Sequence, residues 1–158
     1  MPAWFDIASL SFSGGEDEPG ITSSSKQIQT LIEEEVKSGI DRSRIIIGGF
    51  SQGGAVALYS ALTNPQPIGG AVCLSSWLPL HASFPDACKG NKTFPILQCH
   101  GDSDPMVNYT YGQMTAAVVS KMCSKYTFTT YPGLGHSSNP REMIDVKNFI
   151  SKTLPPIP

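Results

Sequence analysis

The chain is short of charge, and the charge it has is not biased. Of its 158 residues only 15% are charged, with Lys+Arg 11 against Asp+Glu 13 and a formal net charge of −2. So sparse and balanced a set excludes the basic face that nucleic acid binding needs, and it excludes a coiled coil. No apolar run approaches the roughly 18 residues that span a bilayer. The Met1 end has no basic region before its short apolar stretch, so no signal peptide is expected and the cytoplasm is the expected compartment. Without a secretory signal, the sequons Asn91-Lys92-Thr93 and Asn108-Tyr109-Thr110 read as chance matches. The four cysteines, Cys73, Cys88, Cys99 and Cys123, form no CxxC and share no metal-ligand spacing with the three histidines. No zinc site is expected, and Cys73 and Cys99, inside apolar runs, read as small buried hydrophobes.

What is present is a globular composition, 40% hydrophobic with Gly 15 and Pro 13, which suits one domain over 1–158 built of short elements and many turns. Residues 1–20 read as irregular, with an apolar opening, Gly14-Gly15 and an acidic Glu16-Asp17-Glu18. Ser24 and Gln27 form a capping-box pattern, and Ile28, Leu31, Ile32 and Val36 then share one helical face that Gly39 closes. Ile45-Ile46-Ile47 is a continuous β-branched run and reads as a strand buried on both faces. A helix over about 53–62 follows, then strands over 68–74 and 94–99, a helix over about 109–122, a strand over 126–131 and a helix opening at Pro140. The alternation predicts an α/β fold with a mainly parallel sheet.

Gly49-Phe50-Ser51-Gln52-Gly53 is a G-x-S-x-G string. The string alone is common; its context carries the weight. A buried strand runs into it and a helix leaves it, the strand–turn–helix setting that exposes a nucleophilic serine. No lysine follows as in a phosphate-binding loop. A serine hydroxyl needs a base, and the base an orienting acid, expected in the order Ser, acid, His at the ends of later strands. His100-Gly101-Asp102-Ser103-Asp104-Pro105 and Pro132-Gly133-Leu134-Gly135-His136 supply both. His81 and His100 precede or adjoin the acid loop, which leaves His136 as the base. Between Asp102 and Asp104 the residues lean to Asp104 without deciding. The backbone N–H of Gln52, at a helix N-terminus, is an oxyanion donor candidate.

The blocks Trp4-Phe5-Asp6, Arg44 to Ala55, Leu74 to Leu80, Gln98 to Pro105, Gly135-His136-Ser137-Ser138 and Leu154-Pro155-Pro156 closely resemble the acyl-protein thioesterases, lysophospholipase-like serine hydrolases, across essentially the whole chain. The resemblance implies an α/β-hydrolase fold, a mainly parallel sheet with helices on both faces. It implies Ser51 as nucleophile, Asp104 as acid and His136 as base, with no metal and no cofactor. It also implies S-acylated proteins or lysophospholipids as substrates, at most transient contact with a membrane surface, and room for a weak homodimer. Ser76 stands where many members have cysteine. Trp77, Leu78, Leu80 and Phe84 are candidates for an acyl groove, with packing against the sheet as the alternative.

The chain departs from the resembled pattern at its start. Members carry roughly sixty further residues before the Trp-Phe-Asp block, including N-terminal strands and a loop that supplies a second oxyanion donor. Their absence here leads to two expectations: a turnover loss on the order of 10²–10³, and an open edge beside the Ile45–Ile47 strand. The alternative to an active thioesterase is therefore a catalytically impaired short form that keeps an acyl- or partner-binding surface.

Overall fold

Four strands, β1 (Ile46–Phe50), β2 (Gly70–Leu74), β3 (Ile96–Gly101) and β4 (Tyr126–Tyr131), pair in parallel and lie side by side in chain order. The structure, a computed structural model, describes residues 3–7, 15–90 and 92–157; Gly14 and Asn91, singled out in the sequence, lie outside them. The helices are α1 (Glu18–Lys37), α2 (Gln52–Thr63), α3 (Tyr109–Val119) and α4 (Pro140–Thr153). Parallel neighbours need crossovers. α2 makes the first and α3 the third, while β2 reaches β3 through a long loop with one short 3-10 turn, His81–Ser83.

The period-2 alternation of the strands sends side chains to two faces, and helices cover both. On one face Ala71, Cys73 and Ile96 pack with Leu58 and Leu62 of α2 and Val119 of α3; on the other, Leu97, Cys99 and Tyr131 pack with Val146 and Phe149 of α4. α1 lies against α2, where Ile21 meets Val56 and the Ser60 hydroxyl donates to Ser25 Oγ at 3.1 Å. α2 is buried almost all round, from Gly54 to Leu62, and its glycines and alanines let it sit close to the sheet. Burial pushes the thiols of Cys73 and Cys99 up, the latter to about 12, so these two behave as the hydrophobes they were read to be; Cys123, also buried, is raised to about 11.

Two sequence expectations shift. α1 begins at Glu18 and its cap is Asp17, not Ser24: Asp17 Oδ1 accepts from Gly20 N at 3.0 Å and Pro19 suits the first turn, so the helix is capped seven residues earlier. Its end is as expected. Gly39, at φ 104, donates to the Val36 carbonyl while Ile40 donates to Glu35, a Schellman closure. The run Ile45–Ile47 is not buried on both faces. Ile46 and Ile47 are half-buried and Gly48 and Phe50 exposed, because β1 is an outer strand of the four. β3 holds the inner place instead, with all six residues buried. Among the described residues no helix is long and apolar enough to cross a membrane. Asn108, in the second sequon, is the N-cap of α3.

Candidate active site

Parallel strands all deliver their C-terminal ends to one rim, and every chemistry-bearing residue singled out in the sequence lies on that rim or in a loop leaving it. Ser51 follows β1 directly, with φ 53 and ψ −123, a conformation that non-glycine residues rarely adopt. Two close approaches hold it there. A Cβ on Gly49 would sit 2.3 Å from the Gly53 carbonyl carbon, and one on Gly54 would sit 2.8 Å from both the Gly49 oxygen and Ser76. Gly53, the last glycine of the string, is different: a Cβ there meets nothing nearer than the Trp4 indole nitrogen, at 3.7 Å. The turn is closed from the sheet side by the Ser51 N–H, which donates to the Leu74 carbonyl at 2.8 Å.

Gln52 opens α2, so its backbone N–H is among those a helix leaves without an internal acceptor. The sequence did not show what its side chain does. The amide bridges the N-terminal strap: Nε2 donates to the Phe5 carbonyl at 2.7 Å and Oε1 accepts from Trp4 N at 3.0 Å. The strap is itself tied to α1, through the Ser24 hydroxyl on the Trp4 carbonyl and Asp6 N on Asp17 Oδ2.

The loops after β3 and β4 bring Asp104 and His136 together. His136 Nδ1 lies 2.8 Å from Asp104 Oδ2, with the carboxylate fully buried and the imidazole 17% exposed. Asp104 Oδ1 accepts from Met106 N and Val107 N, each at 2.9 Å, so three donors converge on one carboxylate. Asp102 is spent elsewhere: its Oδ1 accepts from Gly133 N at 2.7 Å and from the Ser103 hydroxyl, which ties the β3 loop to the β4 loop. The Phe50 ring packs on the His136 ring at 4.7 Å between centroids, so the residue before Ser51 touches the candidate base. His100 lies beneath, fully buried, its Nε2 2.9 Å from the Val107 carbonyl and 3.6 Å from Asp104 Oδ2. Burial holds its protonation below the ordinary histidine range.

Behind this pair, Tyr131 donates to Asp145 Oδ2 at 2.8 Å, and Glu142 is fully buried with no partner for either carboxylate oxygen among the described residues. Burial pushes the Glu142 carboxyl above its ordinary range. Among the described residues no group of three or more His, Cys, Asp or Glu side chains gathers to hold a metal.

The apolar loop after β2 folds inward. Leu78 is fully buried in the main core and its N–H donates to Thr115 Oγ1 at 2.8 Å, seating the loop on α3. Trp77 and Leu80 pack around Phe5 and Val56, and Phe84 against the main core, each half-buried. The groove that reaches Ser51, about 680 Å³, runs elsewhere, along β1 between α1 and α2, past Ile28, Leu31, Ile47 and Phe50. None of the four loop candidates lines it.

A profile of the family described as Phospholipase/Carboxylesterase matches residues 1–154. The acyl-protein thioesterase 1 of Neurospora crassa is 42% identical over 165 residues, covering 99% of this chain and 67% of that protein. The acyl-protein thioesterase 1 of Gibberella zeae is also 42% identical, with 70% of its length covered. Among solved structures, Arabidopsis thaliana SOBER1 superposes with a TM-score of 0.89 at 31% identity, and Zea mays acyl-protein thioesterase 2 with 0.85 at 31%; each covers 96% of this chain, and 74% and 72% of those chains.

Proposed function

This chain belongs to the phospholipase/carboxylesterase family and has its α/β-hydrolase fold, and from that premise we propose that Ser51, His136 and Asp104 cleave acyl thioesters and esters, with S-acylated proteins as the leading substrates and lysophospholipids as a second class, in the cytoplasm. The observation that carries the triad is the buried Asp104 carboxylate bonded to His136 Nδ1 at 2.8 Å, on loops beside a strained serine turn. With Nδ1 donating its proton to the carboxylate, the lone pair of Nε2 is the basic site. The Ser51 hydroxyl gives its proton to that nitrogen as Oγ attacks the acyl carbonyl carbon, and Asp104 stabilises the imidazolium that forms. The imidazolium then protonates the leaving thiol or alcohol oxygen as the acyl bond breaks. Water, deprotonated by His136, attacks acyl-Ser51 and releases the carboxylic acid. The Gln52 N–H faces the developing oxyanion with the dipole of α2 behind it. The strap on its side chain holds that donor in place. For the acyl chain, the groove along β1 past Ile28, Leu31, Ile47 and Phe50 is the apolar surface that reaches Ser51; Trp77, Leu80 and Phe84 do not line it, and Leu78, sealed in the core, offers no surface.

The test is fluorophosphonate labelling together with hydrolysis of a medium-chain acyl thioester by the chain and by Ser51→Ala. Labelling and turnover that both vanish in the variant are expected, the turnover loss being about 10⁴-fold or more. Turnover that survives Ser51→Ala overturns the assignment. A chain that neither labels nor turns over points instead to the impaired form that keeps only its binding surface.

A further inference from the structure

The proposed reaction uses His136 but not the second histidine beneath the site, His100. His100 is the last residue but one of β3 and is entirely enclosed. Its surroundings fix its chemistry. A carbonyl oxygen can only accept, so the 2.9 Å contact with the Val107 carbonyl requires the proton on Nε2. Nδ1 has no hydrogen-bond partner among the described residues. The ring is wedged by Tyr109 at 5.9 Å, edge to face, and by Gly112, where a Cβ would lie 2.6 Å from Nδ1. The missing side chain at 112 is therefore the space that His100 occupies. From this position Nε2 reaches both ends of one turn: Val107, whose N–H binds Asp104 Oδ1, and Asp104 Oδ2 itself, 3.6 Å away.

We propose that His100 is a positioning residue of the active site: its Nε2–H, lodged between the Val107 carbonyl and the flank of Asp104, fixes the turn that aims Oδ2 at His136. The inference rests on the triad reading above. The charged or titratable groups that face the ring are Asp104 on its own loop, His136 on the β4 loop and Tyr109 on α3. Held neutral by burial, His100 adds an N–H dipole beside Asp104 and no second imidazolium to compete for the carboxylate. Without that N–H, the 104–107 turn relaxes, Oδ2 drifts from Nδ1 of His136, and the imidazolium formed in the reaction is less stabilised.

Three variants test this: His100→Gln, which can still donate to Val107; His100→Asn, a donor one methylene too short; and His100→Leu. Each is assayed on the full chain over pH 5–9, with a thermal melt to establish folding. In Asn and Leu, kcat is expected to fall about 10- to 100-fold with KM within twofold, the loss that a misplaced catalytic group brings. The acid limb of kcat/KM moves to lower pH, because a less stabilised imidazolium loses its proton sooner. Gln restores most of kcat and returns the limb. If Leu does not fold, the Gln–Asn pair decides alone. The downfield proton resonance of His136 Nδ1–H gives a readout that needs no turnover: it persists in Gln and shifts upfield in Asn. Folded variants in which kcat, the acid limb and that resonance are all unmoved overturn the proposal. Thioester hydrolysis that survives Ser51→Ala overturns the triad reading instead, whatever the His100 variants do.

Discussion

The two halves of the candidate site reach the same rim from strands of opposite character. Ser51 leaves β1, an outer strand whose residues are half-buried or exposed; Asp104 leaves β3, an inner strand that is buried throughout. What holds each half differs accordingly. The acid–base half is set by hydrogen bonds, three on the Asp104 carboxylate and one from Gly133 N to Asp102. The nucleophile half is set by exclusion of atoms: backbone passes within 3 Å of where a side chain on Gly49 or Gly54 would begin. One half should therefore fail when a donor or acceptor is removed, and the other when a methyl group is added.

The largest contrast lies within the acid loop. Asp104→Asn keeps the shape but presents an amide where His136 needs a carboxylate, and kcat is expected to fall about 10⁴-fold with the fold intact. Asp102→Asn still accepts from Gly133 N through its amide oxygen, and kcat should stay within about threefold. Steady-state thioester hydrolysis by the two variants measures the difference. Equal losses would break the division of labour between the two carboxylates.

The second contrast adds one methyl at each end of the G-x-S-x-G string. Gly49→Ala places a Cβ 2.3 Å from the Gly53 carbonyl carbon, and the backbone must move. Fluorophosphonate labelling of Ser51 is expected to slow about 100-fold or more, and stability to drop by about 2–3 kcal/mol. Gly53→Ala meets only ordinary contact at 3.7 Å and stands in the first turn of α2. Labelling should be unchanged and the melt equal or higher, since alanine is favoured over glycine in a helix by up to about 1 kcal/mol. A Gly53→Ala that labels as poorly as Gly49→Ala would show that the lock extends beyond the atoms named.

The difference between the halves also governs how much of each was legible in the sequence. Strand–helix alternation gave β4 to the residue, and the start of α4 at Pro140, because apolar period and helix-start chemistry agree there. The order of Ser51, an acid and His136 followed from which strand ends meet at one rim, whereas the choice of Asp104 over Asp102 came from the resemblance to the acyl-protein thioesterases. The sequence did not reveal the partners that only folding creates. Gln52 holding the Trp4–Phe5 strap spans 47 and 48 positions, and nothing local marks it. His100 looked like a surplus histidine beside the acid loop; its role depends on the absent side chain at Gly112, a pairing visible only in space. Ser24 read as a helix cap because its local pattern fits one, but Asp17 and Pro19 cap the helix earlier and leave Ser24 to bind Trp4. Leu78 had apolar character consistent with groove or core, and the hydrogen bond to Thr115 places it in the core.

The smallest contrast concerns a carboxyl behind the acid–base half that the hydrogen bonds leave out. Glu142, in the first turn of α4, is fully buried and neither carboxylate oxygen has a partner among the described residues. Burial raises its pKa in the folded chain above the ordinary 4.5. The folded state therefore keeps a proton that the unfolded chain gives up, and stability falls as pH rises from about 4.5 through the raised value. Glu142→Gln keeps the shape and removes the titration. Its melting temperature should match the parent near pH 4.5 and exceed it at higher pH, once the parent's carboxyl has to ionise in the folded chain. Thermal melts at pH 4.5, 6 and 7.5 check the sign. A variant that melts lower than the parent at pH 7.5 would mean that the ionised carboxylate is held by a favourable partner.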